Sequence, residues 1–272
     1  ADVHLHGYRW DAYGNAGIVS MHSNIPEQAV FIKEVTPDDA LINAGEYFNG
    51  RFYAFTSTWY SEPRQFLVMD TLTWTPIKSA KTEDFMQDMA YDYASKEMYG
   101  IRVNGGESEL VTINLENGEI TSVASTGMNF HALACSKEGK LYGMSDDGKL
   151  YAIDKTTAQP DIIAGTGISD VAYLQSMAFD HNTGRLFWSH TGSQILGDLY
   201  EIDPKTAKVI SLGSATYNDS PLEVVGLYSV YTHPTPPDNI EELKANDLKV
   251  YTDASKTIHV IVPFENEPAM IS

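Results

Sequence analysis

The sequence predicts an all-β chain in which a four-stranded sheet is repeated around one axis. Three observations predict it. Four segments of similar pattern begin at Ile42, Met86, Phe130 and Leu174, each 44 residues after the last. Short runs alternating apolar and polar residues fill the segments and are parted by turn residues, the pattern of half-buried antiparallel strands. Sixteen Tyr, ten Phe and four Trp supply the aromatic content that pleated surfaces favour.

The elements follow in chain order. "VHLHGYRWDA", "AGIVSMHS" and "AVFIKEVT" read as three strands ahead of the first full repeat. The repeats themselves open with "INAGEYFNGRFYAF", "MQDMAYDYASKEMYGI", "FHALACSKEGKLYGM" and "LQSMAFDHNTGRLFWS", each a strand, a turn and a second strand. "ELVTINLENGEITSVAS", "KLYAIDKTTAQPDIIAG" and "DLYEIDPKTAKVISLGS" supply the second hairpin of three units. Asn-Gly and Thr-Gly in these stretches are the turn chemistry that reverses a strand. Four short strands in roughly 40–45 residues make one propeller blade. A blade cannot bury both of its faces alone, so the copies must stack. Phe52–Tyr53, Met98–Tyr99, Leu141–Tyr142 and Phe187–Trp188 are expected to face opposite sides of their sheets and fill the gaps between blades.

Counting gives a five-bladed β-propeller rather than one of six. Four units are complete, and "LEVVGLYSVYT" (Leu222–Thr232) begins a fifth. The three N-terminal strands complete it, so the two ends of the chain close the ring and remove its open edges. The expected domains are a propeller over 1–232, a Pro-rich linker over 233–246 and a β tail over 247–272. In the tail, "LKVYTDASKTIHVIVPF" offers two strands, too short for a core of their own and readable as the start of a truncated domain. A short helical turn is expected near "NIEELKAN".

Charge narrows the partners. Asp and Glu number 37 against 18 Lys and Arg, a formal net charge of −19. Such a surface repels phosphate backbones, so no nucleic-acid partner is expected. No apolar run approaches the roughly 18 residues of a membrane span. The single cysteine, Cys135, can form no internal disulfide and reads as a buried, inert thiol. The opening "ADVHLHGYRW" carries neither an initiator Met nor a basic leader, as in a chain trimmed after export.

"LYAIDKTTAQ" and "LYEIDPKTAK", the latter after "SMAFDHNTGRLFW", resemble the blades of secreted Bacteroidetes β-propellers of the YncE-like and quinoprotein-like kind. That likeness spans about residues 1–232. "LKVYTDASKTIHVIV" resembles the opening of a C-terminal sorting or β-sandwich domain of exported proteins in that phylum. The resemblance implies export, a secreted, cell-surface or periplasmic location, and binding as the common task.

Catalytic motifs are missing: no GxSxG elbow, HExxH, Walker loop or CxxC stands in the sequence, and no cofactor is expected. "GTGISD" (Gly165–Asp170) reads as a loop between blades and "SDDGK" as a hairpin turn. His4 and His6, two apart on a strand, are the weak metal candidates, lacking an evident third ligand. The repeat points to a different set. One residue past each unit start stand Asn43, Gln87, His131 and Gln175, with Asp88 and Ser176 next to them. Equivalent positions converge on one ring around the axis, where amides over an apolar floor would make a binding funnel. His131 and Asp88 are also the weak candidates for a catalytic base and its acid partner. The leading reading is a noncatalytic exported propeller that recognises a carbohydrate or protein ligand, with Trp10, Trp59, Tyr60 or Tyr217 as stacking surfaces. The alternatives are a hydrolase or lyase working in the central channel and a structural spacer for a C-terminal module.

Overall fold

The computed structural model describes residues 1–57, 64–232, 249–252 and 258–261. Strands run β1 (His4–Arg9), β2 (Gly17–His22), β3 (Val30–Glu34), β4 (Leu41–Phe48), β5 (Arg51–Ser57), β6 (Arg64–Asp70) and β7 (Pro76–Thr82). Next come β8 (Met86–Asp92), β9 (Glu97–Asn104), β10 (Glu107–Ile113) and β11 (Ile120–Ser125), then β12 (Phe130–Cys135), β13 (Leu141–Ser145), β14 (Lys149–Ile153) and β15 (Pro160–Gly165). The last blades use β16 (Ser176–Asp180), β17 (Arg185–Thr191), β18 (Leu196–Ile202), β19 (Val209–Ser214) and β22 (Val224–Ser229), with a two-residue pair, β20 (Thr216–Tyr217) and β21 (Ser220–Pro221), between them.

These strands form five four-stranded antiparallel sheets, β4–β7, β8–β11, β12–β15, β16–β19, and β22 with β1, β2 and β3. Blade five therefore joins one strand from the C-terminal end of the ring to three from the N-terminus, as expected. The innermost strands make a closed circle: β22 contacts β4, then β4 contacts β8, β8 contacts β12, β12 contacts β16, and β16 returns to β22. No helix among the described residues is long and apolar enough to cross a membrane.

Five apolar clusters fill the five gaps between neighbouring blades. Phe52 packs in the gap between blades five and one, and Tyr53 in the gap between one and two. Met98 and Tyr99, then Leu141 and Tyr142, divide in the same sense. In blade four the order is reversed, with Phe187 on the following gap and Trp188 on the preceding one. That pair lies one residue later along its strand, and a shift of one exchanges the faces of a strand.

Blades one and five meet most closely at their inner strands. A Cβ on Gly226, whose φ is +55°, would stand 2.7 Å from Phe52 Cζ and 3.2 Å from Gly45 Cα. The chain splits into two units, Ala1–Thr232 and His233–Ser272. In the second, β23 (Lys249–Thr252) pairs antiparallel with β24 (Ile258–Ile261). The expected linker and the turn at "NIEELKAN" lie outside the described residues.

Closure at that seam gives a test. Gly226→Ala is expected to destabilise the protein by about 2–4 kcal/mol, combining left-handed strain with overpacking. Gly50→Ala, where the φ is +77° and nothing lies within 4 Å, should cost only about 1 kcal/mol. Denaturant unfolding of both variants checks the difference, and equal losses would mean that the seam is not tightly packed.

Candidate functional site

The inner strands share one irregularity. Register slips between Ile42 and Ala44, between Met86 and Asp88, and between Phe130 and Ala132. Asn43, Gln87 and His131 are thus the bulged residues of blades one, two and three. A bulge re-aims the side chain it carries, and all three side chains line a cavity of about 700 Å³ at one mouth of the ring.

Hydrogen bonds anchor each of them. Asn43 Nδ2 donates to Met86 O of the next blade. Gln87 Nε2 and His131 Nδ1 donate to the same carbonyl, Tyr173 O, at 3.0 and 2.8 Å. Tyr173 has a φ of +54°, a strained geometry for a tyrosine, and it lies in the loop before β16. Trp10 and Phe85, from connections between strands, and Leu174, the first residue of the fourth repeat, add apolar wall. Arg64 and Glu223 bring the charges. Arg64 donates to Glu83 O and lies over the Phe85 ring, 5.7 Å from its centre. Burial pushes the Glu223 carboxyl up to about 7, against the pull of the Leu174 amide.

The other expected residues lie elsewhere. Gln175 is fully buried; its Nε2 donates to Ala172 O and Thr191 O, and its Oε1 accepts from Trp188 Nε1 at 2.7 Å. Its blade carries no bulge at this point, because β16 begins one residue later. Asp88 and Ser176 lie deeper, on the axis. Asp88 accepts from the amides of Met89 (3.0 Å), Leu133 (2.8 Å) and Met177 (3.3 Å) and from Ser176 Oγ (3.1 Å). Ser176 Oγ in turn accepts from the Leu227 amide at 3.0 Å. Glu46 accepts from the amides of Tyr47 and Tyr91 at 2.8 and 3.2 Å, tying β4 to β8. His131 and Asp88 therefore face different partners and do not pair.

Burial raises both acids: Glu46 to about 8, and Asp88 well above the ordinary carboxylate range although three amides pull it back. Four donors face Asp88, three backbone amides and the Ser176 hydroxyl.

Beyond the carboxylates the far end of the channel is closed by side chains from all five blades. Phe48 stacks on Tyr91 at 3.9 Å, Tyr93 meets His181 at 4.8 Å and Tyr231 at 4.9 Å, and Lys137 lies over Tyr231. Burial raises the Cys135 thiol, in keeping with an inert role.

His4 and His6 stand in blade five, their ring centres 4.3 Å apart. His4 stacks on His22, which pairs with Asp2 at 2.6 Å. His6 stacks on Tyr228, and burial, with His4 and His22 beside it, lowers it to about 4. Among the described residues no group of three or more His, Cys, Asp or Glu side chains is placed to hold a metal ion. Of the proposed stacking residues, Trp10 lines the cavity, Tyr217 packs on Phe31 at 5.8 Å, and Trp59 and Tyr60 lie outside the described residues.

No family model matches the chain, and no curated protein does. Solved structures of similar fold include the nidogen/laminin complex, at 12% identity, a TM-score of 0.52 and coverage of 80% of each chain. A protein of unknown function from Bacteroides thetaiotaomicron matches at 13% identity and 0.50, and TolB from Acinetobacter baumannii at 12% and 0.51. The alignment takes in 80% of this chain in both cases, but only 52% and 54% of theirs. Likeness at this identity shows the fold alone.

Glu46 makes the axis sensitive to pH. Its folded value of about 8 exceeds the ordinary 4.5, so its contribution to stability is complete below that ordinary value and is lost as pH rises through about 8. The thermal midpoint is expected to fall between pH 5 and pH 9, and Glu46→Gln should flatten that fall. An unchanged slope in the variant would place the titrating group elsewhere.

Proposed function

We infer that this propeller is a noncatalytic binding module of an exported protein, holding part of a glycan, peptide or surface-protein partner in the cavity at the mouth of its ring. The cavity carries the reading. Its volume of about 700 Å³ is that of a small-ligand site, with aromatic and aliphatic walls around a few placed polar groups. Aromatic side chains pack one end of the channel, and the cavity opens at the other. A spacer has no need of such a recess.

A hydrolase or lyase reading would need His131 and Asp88 to act together. His131 instead holds a loop carbonyl, and Asp88 holds the amides of three strands. The resemblance of the blades to secreted propellers supports an exported location. The acidic surface suits an extracytoplasmic medium as well.

Glycan and peptide arrays probed with the full chain test the proposal. Gln87→Ala and His131→Ala each remove a floor side chain and release Tyr173 O, and each is expected to weaken the hits at least about tenfold. Circular dichroism melts of both variants confirm folding. Hits unchanged in both variants would remove the cavity from the binding site.

A further inference from the structure

Two backbone carbonyls decide the polarity of the cavity floor. A carbonyl oxygen accepts and never donates, so each side chain facing one must turn a donor toward it. Met86 O holds the Asn43 amide by Nδ2, which leaves Asn43 Oδ1 buried and without a hydrogen-bond partner. Tyr173 O takes Gln87 Nε2 and His131 Nδ1. What remains for a ligand is the second N–H of Gln87 together with two acceptors, Gln87 Oε1 and, on a neutral ring, His131 Nε2. Glu223 adds a carboxylate to the same lining. Each ring side chain commits one donor to the backbone, and Gln87 Oε1, His131 Nε2 and Glu223 stand as the acceptors of the lining.

We propose that the group this cavity receives is a primary ammonium on a short alkyl stem, as on a lysine side chain or a free diamine. The proposal rests on the cavity being the binding site. An ammonium carries three donors and no acceptor, which matches such a floor. A hydroxyl would offer one donor where an ammonium offers three, and a carboxylate or phosphate would meet Glu223. Trp10, Phe85 and Tyr173 line the walls, where aromatic faces attract a cation. Arg64 is the opposing charge in the lining, and it is held against Phe85 and the Glu83 carbonyl. A net charge of −19 draws cations toward the surface as a whole.

The test is a calorimetric titration of the full chain with four probes. These are Nα-acetyl-lysine methylamide, its Nε-acetylated form, cadaverine and methyl β-glucoside. The two ammonium probes are expected to bind saturably, and acetylation of Nε to weaken binding at least about tenfold. Glu223→Gln should weaken the ammonium probes by about tenfold and leave the acetylated one unchanged. Tighter binding of the lysine derivative would mark a peptide source, and tighter binding of cadaverine a free amine. Equal or better binding of the acetylated probe or the glucoside would overturn the ammonium class and keep the cavity as a site. Array hits that depend on Gln87, with no response to either ammonium, would likewise sink this inference while sparing the binding reading.

Discussion

One buried carboxylate holds the centre of this molecule. Asp88 gathers the amides of its own strand and of the inner strands of blades three and four, and Ser176 carries the link to blade five. Glu46 supplies the remaining link, between blades one and two. Inner strands in a propeller stand side by side without sharing a ladder, so their axial amides need partners from somewhere else. In a ring this narrow, side chains provide them. A carboxyl group is costly to bury and costlier to leave without partners, which makes the arrangement a demanding one. It works only when every blade stands in its place.

The cavity is a consequence of the same ring. With the axis closed by the two acids and then by the aromatic plug, the cavity of about 700 Å³ lies where the inner strands begin. Bulges at Asn43, Gln87 and His131 turn those side chains toward that mouth. Tyr173, in a strained backbone geometry, then offers the carbonyl that fixes two of them at once. Architecture and site polarity thus come from one set of backbone groups.

Much of the architecture was legible in the sequence. A constant spacing of 44 residues, strand alternation and two incomplete chain ends suffice for five blades and their closure, because stacking leaves a repeat few other ways to bury its faces. The ring positions were partly legible. Asn43, Gln87 and His131 line the cavity, whereas Gln175 turns into its own blade because β16 lacks the bulge, and periodicity carries no signal of a bulge. Asp88 is legible as an acid near the axis but not as a tie between strands, since its partners are amides that every residue possesses. Glu223 stands one residue past Leu222, the start of the fifth unit, although that start falls 48 residues after Leu174 rather than 44 and the residue is an acid rather than an amide. Phe85 and Trp10 come from connections between strands, and Arg64 opens β6 rather than an inner strand.

Native-state hydrogen exchange of the axial amides tests the central role of Asp88 most directly. Met89, Leu133, Met177 and Leu227 should exchange together, only through global unfolding, and among the slowest in the protein. Exchange at these four amides that is faster than in the outer strands, or at four unrelated rates, would show that the carboxylate does not hold the ring.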